Sequence, residues 1–118
     1  MLIKIEAIIR EDKFEDVKKA LNDIDINGMT VYQVMGCGVQ HGYTRRIRGS
    51  EIEITLLPKL KMEIVVSSEE WEEKVVDAIR DAAYSGNVGD GKIFTYDIRS
   101  ATKIRTNEKN EEAVWGKK

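Results

Sequence analysis

The sequence contains few of the residues that build many enzyme and metal sites. Its 118 residues include one cysteine, Cys37, one histidine, His41, and one proline, Pro58. A single cysteine cannot form an intrachain disulfide or a cysteine-based zinc site, which indicates a chain made for a reducing compartment. A lone histidine without a neighbouring carboxylate is more often an exposed loop residue than a metal ligand or a general base. We therefore assign His41 no catalytic role.

Long apolar runs and a surplus of one charge are also absent. The chain has 19 Lys and Arg against 21 Asp and Glu, a formal charge of −2 and a pI near 5.5. This balance argues against sequence-independent binding of nucleic acid, which normally needs a basic domain. The first residues alternate apolar side chains with Lys4 and Glu6, and nothing there resembles a signal peptide or a membrane span. We expect a cytoplasmic protein.

The apolar pattern predicts one domain, 1–118, in which the same succession of elements occurs twice. In chain order the predicted elements are a strand at 2–9, a helix at 11–22, a strand at 29–36, a long interrupted strand at 53–66, a helix at 67–86 and a strand at 92–98. Two βαβ units joined by a loop predict the α+β class and a ferredoxin-like βαββαβ sandwich with both helices on one face of the sheet.

Local signals refine this plan. Pro58 cannot donate to a sheet and should lie at a bulge or an edge. A capping box from Ser67 to Glu70 should begin the second helix, and Gly86 should end it. Residues 101–106 suggest a short edge strand, and the tail from about 107 to 118 should be solvated.

The sheet face without helices should mix apolar and charged side chains, which favours self-association. Its expected members are Tyr32, Val34, Leu57, Lys59, Lys61, Glu63 and Val65.

Two glycine-rich segments are the candidate ligand-binding elements. GNVGDGKIF, 86–94, could turn backbone N–H groups and Lys92 toward a phosphate, although such a segment alone is more often a plain turn. GCGVQHG, 36–42, carries Gln40, whose amide oxygen could join the ligands of Mg²⁺. Cations from separate segments, Lys59 with Lys61 and Lys103 with Arg105, would be needed to hold a triphosphate.

For catalysis the sequence offers little. No serine lies in a strand–turn–helix elbow, no histidine accompanies a nucleophile, and the acidic clusters at 69–73 and 108–112 look like a helix first turn and a tail. The sequence therefore predicts a binding protein and not an enzyme. A ferredoxin-like phosphohydrolase that cradles phosphate in GDGK and an amino-acid-binding regulatory domain remain alternatives.

Several motifs in a fixed order resemble the PII nitrogen-signalling proteins over essentially the whole chain. They are KIEAII, INGMTV, the GCGVQ elbow, RGSE, LPKLKMEIVV, GDGKIF and IRT. The resemblance implies a homotrimer with ATP or ADP in clefts between subunits and 2-oxoglutarate bound beside ATP through Mg²⁺. It also implies a long T-loop, at about 37–55, that contacts target proteins such as an ammonium transporter or another nitrogen-metabolism protein.

The same resemblance assigns residues to each ligand. Nucleotide binding falls to Thr30, Gly38, Val39, Gln40, Val65, Gly89, Asp90, Gly91 and Lys92, with Lys103 and Arg105 reaching the site from the next subunit. The 2-oxoglutarate site falls to Gly38, Gln40, His41, Gly42 and Lys59, and the metal to Gln40. Because neither anion alone completes the site, binding of the two ligands should be mutually dependent.

In the T-loop, the resemblance gives Arg45, Arg46 and Arg48 a role in partner contact, peripheral to the inner face of a membrane when the partner is a transporter. Isoleucines at 47 and 52 replace tyrosines of the family, so nucleotidylation of a tyrosine there is excluded. Ser50 is a candidate phosphorylation site. Val39 and Lys103 stand where arginines are usual, which should alter nucleotide affinity or the ATP/ADP preference, because lysine lacks the bidentate fork.

Overall fold

The computed structural model describes residues 1–37, 43–47, 50–54 and 56–115. In chain order the elements are β1 (Leu2–Arg10), a 3-10 turn (Glu11–Lys13), α1 (Phe14–Asp23), β2 (Thr30–Gly36), β3 (Tyr43–Ile47), β4 (Ser50–Ile54), β5 (Leu57–Val66), α2 (Glu69–Ala83), β6 (Gly91–Ile98) and α3 (Glu111–Trp115).

The main sheet has four strands in the order β2-β5-β1-β6, with every neighbouring pair antiparallel. Alternation along β1 and β5 turns Ile5, Ala7, Met62 and Ile64 to one face, where they are fully or almost fully buried. There they share a core with the buried stripes of the two helices, Val17 and Leu21 of α1 and Val75, Ile79 and Ala83 of α2. Since each fully buried aliphatic side chain contributes about 1.5–3 kcal/mol, this face fixes the sheet register. The α+β ferredoxin-like prediction is confirmed.

The opposite face of the sheet carries no described helix and mixes charged with aromatic side chains. Lys61 Nζ lies 3.3 Å from Glu6 Oε1, and Lys4 Nζ lies 3.8 Å from Glu63 Oε2. Three aromatic side chains on this face remain about two-fifths exposed, Tyr32, Phe94 and Tyr96. The predicted composition of the face is confirmed, and its self-association stays a prediction.

The segment predicted as the loop between the two βαβ units contains a β-hairpin. β3 pairs with β4 in a separate two-stranded sheet, with Arg45 opposite Ile52 and Arg46 opposite Glu51. The predicted interrupted strand at 53–66 is therefore two strands in two different sheets. Backbone hydrogen bonds pair the two strands of this hairpin, and the spacing of apolar side chains in the sequence does not reveal such bonds.

Pro58 lies in the part of β5 that pairs with β2 but no longer with β1. It pairs with Met35 of β2, while the pairing of β5 with β1 ends at Lys59 opposite Arg10. The predicted edge position is confirmed, because the missing N–H is tolerated where no second strand requires it.

The boundaries of α2 differ from the prediction at both ends. Ser68, and not Ser67, caps the helix: its Oγ accepts a hydrogen bond from the Trp71 N–H at 3.1 Å. The helix ends at Ala83, where Tyr84 turns to extended backbone, and the positive φ of Gly86 follows only within the next loop. Two adjacent serines offer the same capping chemistry, so the pattern could not select between them.

Beyond β6 the chain folds back on itself, which corrects two predictions. Residues 101–106 form a turn with an isolated bridge from Thr102 to Lys109, and not a strand. The predicted tail contains α3, where Glu111 pairs with the amino terminus of Met1. Among the described residues, no helix is long and apolar enough to cross a membrane.

Candidate functional site

Ligand-binding candidates gather at two opposite ends of the main sheet. At the first, which we term the loop end, the loop 84–90 leads into β6 beside the last residues of β1. Arg10 there faces Lys59 across the β1–β5 pair, and Gly91 faces Ile9 across the β1–β6 pair. The second, the C-terminal end, holds Val65, Thr30 and the chain that follows β6.

Asp90 anchors the loop end from within. Its carboxylate accepts hydrogen bonds from the Ser85 N–H at 2.8 Å, the Gly86 N–H at 3.0 Å and Arg10 Nε at 3.1 Å, and also from the Ser85 hydroxyl. Ser85, and then Arg10 and Gly86, hold the pKa of this carboxyl well below its usual range. The side chain that the sequence assigned to a nucleotide thus stabilises the loop, and a direct contact between Asp90 and nucleotide stays a prediction.

Lys59 is a nearly buried cation at the same end, with 8% of its surface exposed. Its Nζ donates to the Gly89 carbonyl at 2.7 Å. Burial, followed by the positive charge of Arg10, lowers the Lys59 pKa, while Asp90 and Asp12 act in the opposite direction. A carboxylate brought close to Lys59 would relieve both costs to the charged amine.

The two glycines of GDGK have positive φ angles, 97° at Gly89 and 105° at Gly91. A Cβ on Gly91 would stand 1.7 Å from the Ile8 carbonyl oxygen, so β6 can approach β1 only with glycine there. The sequence identified these glycines as a phosphate signal, and the structure adds a packing requirement at Gly91.

Lys92 follows this close approach and is exposed opposite Ile8, on the sheet face without helices.

Arg10 is the functional candidate that sequence reasoning missed. Besides Asp90, it donates from Nη2 to the Val88 carbonyl at 2.6 Å. No motif marks it, since it is the last residue of a strand. The strand alternation could have identified it. Arg10 lies an even number of residues from Lys4 and Glu6 and therefore shares their sheet face, the face predicted to carry Lys59.

An apolar cavity of about 350 Å³ opens at the loop end between α2 and the start of β6. Aliphatic side chains line most of it, including Val76, Ile79 and Ile93, while Arg80 contributes positive charge. None of its helical residues was singled out as a site by the sequence, because their periodicity indicates only a core-facing stripe.

At the C-terminal end, Thr30 faces Glu63 and Val65 faces Lys4, which places Thr30 and Val65 diagonally on one face of the sheet. A second cavity, of about 250 Å³, includes Val65, Gly28 and Val114 of α3 in its lining. The turn after β6 is closed by hydrogen bonds between Lys103 and both Glu108 and Asn107. Lys103 Nζ also lies 4.0 Å from Glu108 Oε1, and Arg105 is exposed.

The two ends cannot meet within one chain. Val65 lies six residues beyond Lys59 on β5, a separation of about 20 Å along an extended strand. Thr30 and Val65 therefore lie at the same end as Lys103 and Arg105. The resemblance had instead grouped Thr30 and Val65 with Gly89–Lys92 in one subunit, and this grouping is corrected. Any ligand that touches both sets must bridge two copies of the chain.

Several predicted site residues lie outside the described part of the chain, namely Gly38, Val39, Gln40, His41, Gly42 and Arg48. Arg45, Arg46 and Ser50 belong to β3 and β4, whose backbone pairing is described. In the described ranges, no group of three or more His, Cys, Asp or Glu residues could hold a metal ion.

Comparison with known proteins gives consistent matches. A family model described as "Nitrogen regulatory protein P-II" matches residues 2–108. Proteins of that name from Pasteurella multocida and Nostoc punctiforme are 49% and 51% identical over 111 residues, covering 94% of this chain and 98% of each relative. Arabidopsis thaliana PII bound to citrate has a similar structure, with a TM-score of 0.76 and 34% identity, covering 96% of this chain and 89% of that one.

Proposed function

Because the chain belongs to the nitrogen regulatory protein P-II family, whose members are signal transducers and not enzymes, we propose that it senses adenine nucleotides together with 2-oxoglutarate. ATP or ADP would occupy a cleft between two copies, and 2-oxoglutarate would bind beside ATP and Mg²⁺. The output would be control of an ammonium transporter or a nitrogen-assimilation protein. The phosphohydrolase alternative is not retained, since the family consists of regulators.

The separation of the two ends of the sheet is the observation that carries the nucleotide site. The loop end offers Lys92 and the glycines of GDGK, and the C-terminal end offers Lys103, Arg105, Thr30 and Val65. A triphosphate carries about four negative charges and needs cations from more than one segment. A cyclic assembly that sets one copy's C-terminal end against the next copy's loop end supplies them in every cleft.

Lys59 supports the dicarboxylate part of the proposal. Its amine is nearly buried and donates to the Gly89 carbonyl, and its pKa is lowered by burial and then by the positive charge of Arg10. A ligand carboxylate placed beside this amine would stabilise its charged form. The citrate in the structure of the Arabidopsis relative is itself a polycarboxylate, which agrees with a family site for such ligands.

Magnesium fits a site of this composition if the ligands supply most of the oxygens. The described residues offer no carboxylate cluster, and Mg²⁺ is commonly held by substrate phosphates, waters and one or two protein oxygens. Gln40 is the proposed protein ligand. When bound, the metal would neutralise charge between phosphate and keto acid, so that each ligand strengthens binding of the other.

The β3–β4 hairpin would be the output element. It extends from the loop end, since β2 ends at Gly36 opposite Leu57, the first residue of β5. Arg45 and Arg46 lie on β3, close to the connection that contains Arg48. We propose that ligand binding at the base of this hairpin changes its order and thereby its contact with a target protein. The complex would lie in the cytoplasm, at the inner face of the membrane when the target is a transporter.

Calorimetric titration with 2-oxoglutarate, with and without Mg-ATP, tests the coupled site. We expect binding only with Mg-ATP. A Lys59→Met variant should lose binding of 2-oxoglutarate and retain binding of ATP. The control is Lys61→Met, two residues further on the same face of β5. It should retain binding of both ligands, because Lys61 pairs with Glu6. Binding of 2-oxoglutarate without nucleotide, or equal loss in both variants, would contradict the proposal.

Mixed oligomers test whether the nucleotide site is shared. One chain would carry Lys92→Ala at the loop end, and the other would carry Lys103→Ala with Arg105→Ala at the C-terminal end. Each variant alone should bind ATP weakly at every site. Coexpressed chains should regain strong binding at those clefts where two intact ends meet, and no recovery would count against a site formed by two copies.

A further inference from the structure

Ile104 is the most exposed large apolar residue in the described part of the chain. Its side chain is 99% accessible, although it lies in an ordered turn. Backbone hydrogen bonds from Lys103 N–H to the Glu108 carbonyl, 2.9 Å, and from Asn107 N–H to the Lys103 carbonyl, 2.8 Å, close that turn. A single exposed aliphatic side chain is ordinary. Ile104 differs in that it stands between two candidate ligand-binding cations, Lys103 and Arg105.

The cavity between α2 and β6 has the shape and chemistry to receive such a side chain. It encloses about 350 Å³, and its lining includes Ile9, Val76, Ile79 and Ile93. The acidic group in its lining, Asp90, already accepts hydrogen bonds from Arg10, Ser85 and Gly86. The cavity thus offers an apolar surface, and its carboxylate does not need a hydrogen-bond donor from an occupant.

Within its own chain Ile104 cannot reach this cavity. The cavity lies at the start of β6, near Gly91, and the turn follows the end of β6, at Ile98. The strand between them spans about 23 Å at the usual rise per residue. An occupant supplied by this chain must therefore come from a second copy arranged head to tail, the arrangement that closes into a ring.

Charge makes this contact dependent on an anion. Lys103 and Arg105 flank Ile104, while Arg80 lines the cavity and Lys92 lies beside it, on the other face of β6. Docking of the turn would bring four cations together, which is unfavourable until a polyanion lies between them. Phosphates held by Gly89–Lys92 would supply that negative charge.

We propose that Ile104 of one copy inserts into the cavity between α2 and β6 of the next copy, and that this apolar contact positions Lys103 and Arg105 against the Gly89–Lys92 loop. The inference rests on the cyclic assembly of the proposed function and adds a defined anchor to it. Ile104 acts here as a positioning residue. The Ile104 contact holds Lys103 and Arg105 at the interface between the two copies. Bound nucleotide would in turn strengthen association of the copies.

Cross-linking between copies tests the contact directly. In a Cys37→Ser background, Ile104→Cys combined with Val76→Cys should give a covalent closed oligomer with a short bismaleimide in the presence of Mg-ATP. Val76 lines the cavity, whereas Glu73 lies exposed on the same helix outside it. The matched pair Ile104→Cys with Glu73→Cys should give no closed oligomer. Equal yields from the two pairs would overturn the proposal.

Substitution of the anchor separates positioning from assembly. Ile104→Ser should weaken association of the copies about tenfold or more per interface, because full burial of an isoleucine side chain is worth at least one tenfold step. At protein concentrations that keep the oligomer intact, the same variant should still bind ATP less tightly. Ile104→Val, which keeps an apolar side chain, should preserve both properties.

The outcomes distinguish this inference from the proposed function. A wild-type chain that binds Mg-ATP as an oligomer while Ile104→Ser behaves like wild type would overturn the anchor alone. A wild-type chain that stays monomeric with Mg-ATP would overturn both. Loss of association and of ATP affinity in Ile104→Ser, with rescue by Ile104→Val and selective cross-linking to position 76, would establish the contact.

Discussion

The two ends of the sheet differ in how their ligand-binding candidates are held. At the loop end, Arg10 and Lys59 donate hydrogen bonds from their strands to the loop 84–90. The backbone of Gly91 fits against Ile8 with no room for a side chain. At the C-terminal end, Lys103 has a distant carboxylate partner and Arg105 is exposed.

This difference is what the proposed site between two copies of the chain would require. A site shared by two copies needs one half that is formed before assembly and one half that can reach across. Internal hydrogen bonds fix the loop end and reduce the ordering cost on binding. In the proposed assembly, the cations of the C-terminal end would bind an anion held by the neighbouring copy. The following predictions test this difference, from the largest expected effect on stability to the smallest.

Gly91→Ala should be the most damaging change. The positive φ and the clash of a Cβ with the Ile8 carbonyl oxygen require β6 to move away from β1, at a cost of about 3–5 kcal/mol. Urea unfolding at a fixed protein concentration measures it. Gly28→Ala, with no atom within 4 Å of the added Cβ, is the matched control and should change stability little or raise it slightly. Similar losses in both variants would remove the packing argument.

Asp90→Asn should destabilise the loop end in a pH-dependent way. The Asp90 pKa is lower in the folded chain than its ordinary value of 3.8, so its stabilising contribution is complete above about pH 5. The contribution falls as the pH drops below 3.8 toward the depressed folded-state pKa. Urea midpoints of wild type and variant should therefore differ most near pH 7 and converge in acid.

The control for this prediction is Asp97→Asn, at an exposed position of β6, the strand that follows Asp90. Within the described part of the chain, Asp97 takes part in no ion pair. It should leave the midpoint nearly unchanged at pH 7. A difference between wild type and Asp90→Asn that stays constant from pH 7 to pH 2 would contradict the role of the ionised carboxylate.

Ser68→Ala tests a source of stability at the opposite end of the sheet, where α2 begins. Removing the side-chain cap leaves the Trp71 N–H without its acceptor and should cost about 1 kcal/mol. Thermal or urea unfolding would detect this. Ser67→Ala should cost clearly less, since the structure gives the capping bond to Ser68, and a larger loss at Ser67 would restore the sequence-based assignment.

Lys103→Ala should separate stability from binding. Its ion pair with Glu108 is long, at 4.0 Å, and partly exposed, so the free energy of unfolding should fall by less than about 1 kcal/mol. Nucleotide affinity should fall about tenfold if Lys103 binds phosphate across the interface between two copies. Calorimetry with ATP beside urea unfolding gives both quantities. A large stability loss with unchanged ATP affinity would make Lys103 a structural residue of its own chain.

Much of the main fold could be predicted from the sequence because apolar periodicity reports burial. Alternation in 2–9 and the stripe of Val75 and Ile79 gave the sheet face, the helix face and the ferredoxin-like order. The β3–β4 hairpin escaped this reasoning, since its pairing depends on backbone hydrogen bonds. The fold of 101–115 also escaped, because its turn and short helix depend on contacts with Met1 and between Thr102 and Lys109.

By itself, the sequence determined the fold class, the family and the residue types that we propose bind phosphate and carboxylate, since these depend on local patterns and motif order. Only the tertiary structure decided how those residues are grouped. It tied Asp90 and Lys59 to the loop end, brought the unmarked Arg10 to them and placed Thr30 with Val65 at the other end. The physical reason is strand pairing: register between β1, β5 and β6 sets which distant residues become neighbours, and composition carries no record of it.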